Sequence, residues 1–138
     1  MSRQATVSAI AGVLFASVPT LSLRPNVCWA HARLLRSEPV NREVLRSSPP
    51  MIRLWFNELL DRGFHSIEVF VASELKAKRR RNLASGSPEV NPDDRTELRV
   101  RIPELSPGEY VVEYRVLSRD GHSAPGRITF EIRAPEEP

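Results

Sequence analysis

The chain has 138 residues, with 20 Lys and Arg against 17 Asp and Glu, one Cys and 12 Pro. That length suits one domain and excludes a two-domain enzyme built around an interdomain cleft. Charged residues at 27% and apolar residues at 41% exclude wholesale disorder. The formal net charge of +3 includes Arg3 and Arg24, the only charged residues of the first thirty, so the remainder is close to neutral. A balance of that kind gives no support for nucleic-acid binding.

Residues 1–30 read as a secretory leader. Arg3 is a short positive start, and residues 7–18 (VSAIAGVLFASV) form an uncharged apolar run stopped by Pro19. The run is shorter than the roughly 20 apolar residues of a spanning helix. Cys28-Trp29-Ala30 sets small residues at −3 and −1 of a cut after Ala30. The expected mature chain is therefore exported and starts at His31. It contains no Cys, which removes disulfides and thiolate metal sites.

From residue 31 onward the pattern has period two. Strands are expected over residues 52–56, 67–71, 98–102 and 128–133, where apolar residues alternate with polar ones, over the longer β-rich run 110–117, and over a short first strand at 33–36. Trp55 is an additional aromatic that breaks the alternation of its run. Turn residues at 48–50, 87–88, 91–94, 106–108 and 124–126 separate the runs. Residues 74–82 (ELKAKRRRN) hold five cations and read as a solvated loop; they would also suit an acidic partner or membrane headgroups. Residues 134–138 read as a frayed tail. Six or seven strands in about 100 residues predict a Greek-key β-sandwich or barrel.

Few residues can carry chemistry. The histidines are His31, His65 and His122. A His at a new amino terminus offers an α-amine and an imidazole to one metal ion. A third nitrogen from another His would complete the tetragonal set that Cu(II) favours. The other reading is a first residue with no role. Asp120-Gly121-His122 follows a strand; two residues apart, Asp120 and His122 share a face in extended geometry. Asp120 would ligate through oxygen or orient an imidazole, while Asp-Gly is also an ordinary hairpin turn. Glu58 is either a sheet-edge carboxylate or one that reaches a metal. His65 reads as a loop residue, and Met51 as packing rather than a Cu(I) ligand. No phosphate loop or nucleophile elbow is present.

Several segments, in order, resemble the CopC family of periplasmic copper-binding proteins. They are His31-Ala32 after the leader, Ser37-Glu38-Pro39-Val40-Asn41, Pro50 followed by Ile52 to Glu58, and Leu105-Ser106-Pro107-Gly108-Glu109-Tyr110. Tyr114-Arg115-Val116-Leu117-Ser118-Arg119-Asp120-Gly121-His122 is similar to the family's W-R-V-x-S-x-D-G-H block with Tyr for Trp, and Pro125-Gly126 with Phe130 is similar to its closing segment. The resemblance implies an all-β, immunoglobulin-like Greek-key fold of about seven strands. It implies a Cu(II) site at His31, Asp120 and His122, with Glu58 at the position of a nearby acidic residue in some members. The family's Met-rich Cu(I) loop has no counterpart here. The implied role is sequestering copper in the periplasm or passing it to a separate CopD-type membrane transporter, with the chain itself a monomer that does not span the membrane. Two other functions fit parts of the pattern. One is a copper monooxygenase using an amino-terminal His; the other is a metal-free immunoglobulin-like interaction module.

Overall fold

The computed structural model describes residues 31–134. The leader reading of residues 1–30 and all but the first residue of the expected tail lie outside that range. Eight strands form two four-stranded sheets: β1 (Leu34–Glu38), β2 (Glu43–Leu45), β3 (Met51–Phe56), β4 (Ser66–Val71), β5 (Ser85–Val90), β6 (Glu97–Arg101), β7 (Gly108–Leu117) and β8 (Ser123–Ile132). The first sheet has the order β1-β3-β6-β5 and the second β2-β8-β7-β4. All pairings are antiparallel except β2 with β8. The all-β sandwich expected from the alternation is the fold observed.

Alternation places the core. Ile52, Leu54 and Phe56 of β3 and Leu98 and Val100 of β6 face Ile67 and Val69 of β4, Val112 and Val116 of β7, and Ile128, Phe130 and Ile132 of β8. Each is at most 4% exposed, so the two inner faces close on one another as an apolar layer. Trp55 breaks the pattern because it stands on the outer face of β3. Its ring lies between the guanidinium groups of Arg36 and Arg53, at 4.4 and 4.6 Å. Arg53 also gives Nε to the buried Glu97 at 2.6 Å, and Asn91 donates to the other oxygen at 2.6 Å. Burial alone would raise the Glu97 carboxyl; these two donors outweigh it and hold the group below its ordinary value.

Three expectations are corrected. Residues 87–88 lie inside β5 rather than in a turn. β5 is an edge strand, where Pro88 removes no ladder bond that the sheet needs. Residues 124–126 lie inside β8. β2 pairs β8 only from Phe130 to Ile132, so Pro125 sits where β8 has an open side. β2 itself was not expected; its three residues are too short for a periodic signal. The segment after β4 opens with a single 3-10 turn, Ala72–Glu74, and continues as a loop.

Gly126 is opposite Tyr114 in the β7–β8 ladder, and the Tyr114 ring fills the space a side chain would take. A Cβ at Gly126 would overlap the Tyr114 ring and hydroxyl. We expect Gly126→Ala to cost about 1–3 kcal/mol, because the half-buried Tyr114 ring would have to shift off its packing against the core. Thermal unfolding would register that loss; an unchanged midpoint would mean the ring does not depend on this gap.

Candidate metal centre

Three chain segments meet at one end of the sandwich. The first is residues 31–33, which lead into β1. Arg33 N donates to Asn57 Oδ1 at 2.6 Å, and Asn57 N donates to Arg33 O at 3.0 Å. This reciprocal clamp, together with burial of Ala32, fixes where His31 is presented. The second is the turn joining β7 to β8. Gly121 N donates to Ser118 O, and Ser118 N donates to His122 O, both at 2.9 Å. Gly121 has φ of +84°, a left-handed conformation suited to Gly. The third is the segment after β3, tied to the turn by a Leu60–Ser118 bridge. It carries Glu58.

This convergence groups His31, Asp120 and His122. One ligand atom from each lies within 4.8 Å of the others, and all three residues are exposed. The two imidazoles approach edge to face, with centroids 5.3 Å apart. Asp120 is held twice by His122: its Oδ1 accepts from His122 N at 3.0 Å, and its Oδ2 lies 3.1 Å from His122 Nδ1. The backbone bond is the largest of several influences that lower the Asp120 carboxyl, so it is an anion at neutral pH.

Glu58 differs from these residues. It is partly buried, and its Oε1 is enclosed with no hydrogen-bond partner. Burial pushes its carboxyl above the ordinary range, and the Asp120 charge adds to the effect; His31 and Arg119 act in the opposite direction. Glu58 is close enough to feel the charges of Asp120 and His31, but its carboxylate lies outside the group that His31, Asp120 and His122 form. The donor set therefore fits a divalent metal with nitrogen preference: two imidazoles, one anionic carboxylate and a second acid close by.

His65 stays outside the group. Its Nε2 lies 2.7 Å from Asp61 O, and its Nδ1 accepts from Leu117 N at 3.2 Å. The ring thus pins the 61–65 loop to β7. Met51 begins β3, at the end opposite Phe56 and the Asn57 clamp. Sequence reading did not give Asn57 a role; an Asn just past a strand end was the available signal. It also missed Tyr114, which lines an open cleft of about 660 Å³ beside the centre with His31, Arg33, Asn57 and Pro125.

A sequence model described as the CopC domain matches residues 34–133. Protein YobA of Escherichia coli K12 is 29% identical over 118 residues, covering 85% of this chain and 90% of that protein. Copper transport protein CutJ of Bacillus subtilis is 28% identical over 109 residues, which are 78% of this chain and 19% of CutJ. Among solved structures, CopC from Methylosinus trichosporium OB3b superposes with a TM-score of 0.66 at 28% identity, over 78% of this chain and 98% of that one. PcoC, a methionine-rich copper resistance protein of Escherichia coli, shares the fold with a TM-score of 0.63 at 24% identity, over 75% and 100%. With its domain matched across both sheets, the chain belongs to the CopC family.

Proposed function

We propose that the chain is an exported Cu(II)-binding protein that sequesters copper or hands it to a membrane copper transporter. CopC-family proteins are copper-binding proteins of copper resistance and homeostasis, not enzymes. The observation that carries the reading is the grouping of His31, Asp120 and His122 within 4.8 Å. On leader removal, His31 gains an α-amine beside its imidazole. The amine and the two imidazoles make three nitrogens, the number a tetragonal Cu(II) centre accommodates in its plane. Asp120 supplies negative charge at that position, whether on the metal or on His122 Nδ1. The copper is cargo, and an exposed site suits transfer to a second protein. The handover partner in this reading is a separate CopD-type membrane protein.

The test is retention. A chain beginning at His31, mixed with excess Cu(II) and passed through gel filtration, should leave the column as a monomer with one copper per chain. Copper lost on the column would reject the carrier reading.

Glu58 gives a second test with two readouts of opposite sign. Its folded-state carboxyl titrates above the ordinary value of 4.5. Ionised Glu58 therefore works against the metal-free fold, a cost absent below the ordinary value that grows as pH rises through it. Glu58→Gln should raise the metal-free thermal midpoint at neutral pH by a few degrees and leave it unchanged in acid. It should also weaken Cu(II) roughly tenfold or more, the usual effect of removing a charge that supports a metal. A variant with unchanged copper affinity would remove Glu58 from the centre.

A further inference from the structure

The loop between β4 and β5 holds five cations, Lys76, Lys78, Arg79, Arg80 and Arg81, and a single acid, Glu74. The metal centre uses none of them. Both ends of the loop are fixed. Ala77 N donates to Glu74 O at 2.9 Å, and Leu83 N donates to Val69 O at 2.8 Å. Asn82 Oδ1 accepts from Val69 N at 2.9 Å and from Ala84 N at 3.0 Å.

Arg80 anchors the middle. Its Nη1 lies 3.0 Å from Glu113 Oε2, and its guanidinium stands 4.4 Å over the Phe70 ring. Phe70 lies outside the main core cluster yet is only 3% exposed, so this loop is part of its cover. All five cations are exposed; Arg80 is tied to Glu113 and Phe70, and Lys76, Lys78, Arg79 and Arg81 share the same short strap. Among the described residues none of the four makes an ion pair.

Apart from the half-buried Leu75, the exposed side chains of the strap are charged, polar or small. The large exposed hydrophobic residues, Leu35, Val40, Val44, Leu59 and Phe64, all lie elsewhere in the chain. Protein interfaces bury aromatic and apolar groups at their centre; they favour Arg but are poor in Lys. A fluid layer of anionic headgroups needs neither a pocket nor an apolar anchor, only clustered cations within a Debye length. No helix among the described residues is long and apolar enough to cross a membrane, so such docking is peripheral.

We propose that the Lys76–Arg81 strap is an electrostatic docking surface for anionic phospholipid membranes. The anchor at Glu113 on β7 is five residues before Ser118, which follows the strand, about 16 Å at the strand rise. Docking therefore leaves the metal centre open. The proposal stands without copper, and its test uses metal-free protein.

The experiment is cosedimentation of the chain from His31 onward, which contains both sheets and the whole core. The probes are vesicles of phosphatidylcholine alone or mixed with phosphatidylglycerol. Partition onto the anionic vesicles should be at least about tenfold higher and should collapse at raised ionic strength. K76Q/K78Q/R79Q/R81Q, which keeps Arg80, should fall to the phosphatidylcholine level with an unchanged thermal midpoint, and K76Q/K78Q should fall between. Equal binding to both vesicles, or undiminished binding by the fourfold variant, would overturn the proposal. Binding to polyglutamate but not to anionic vesicles would overturn it in favour of an acidic polypeptide.

Discussion

A chain that keeps even one residue ahead of His31 should bind Cu(II) roughly a thousand-fold more weakly than the processed chain, a loss of about 4 kcal/mol. The extra residue converts the α-amine into an amide. An amide nitrogen has no available lone pair at neutral pH, whereas the amine titrates near 8 and yields its proton to Cu(II) readily. The amine and imidazole of one residue close a chelate ring without ordering any further chain. The Asn57 clamp then holds that ring opposite His122. Competition against a chelator of known affinity, on the extended and processed chains side by side, measures the difference. Equal affinities would remove the amine from the centre.

His122→Ala should have the second largest effect, a loss of roughly a hundred-fold or more in Cu(II) affinity. It removes one of the proposed nitrogen ligands and also the ring that holds Asp120 at 3.1 Å. The fold should survive, because His122 is exposed at a turn whose backbone bonds do not need its ring. The same competition assay reads the loss, and thermal unfolding checks the fold. Full affinity in a folded His122→Ala protein would mean that the metal is held elsewhere.

Much of this centre was legible in the amino-acid sequence, for physical reasons that also mark where legibility ended. β3 and the second half of β8 alternate because each lies against the core on one face only, and period two records that burial directly, whereas β7 buries Tyr110, Val111 and Val112 in succession. β2 and β5 sit at sheet edges, where three residues or a Gly-Ser-Pro run leave no period to read. Pro125 looked like a turn residue because local sequence cannot tell that β8 lacks a neighbour on one side there. Asp120 and His122 were legible because a two-residue spacing and one Gly define their turn locally. The clamp of Arg33 by Asn57, 24 residues apart, was not. Neither was the enclosure of Glu58 Oε1 or the bridge between Leu60 and Ser118. Contacts of that range exist only once the two sheets have closed.

In the proposed centre His31 and His122 hold one Cu(II) through nitrogen. Titration of the chain beginning at His31, followed by electron paramagnetic resonance, tests it most directly. The account predicts a single tetragonal signal with nitrogen hyperfine structure that saturates at one Cu(II) per chain. A signal like that of Cu(II) in buffer, or several weak signals without nitrogen coupling, would contradict it.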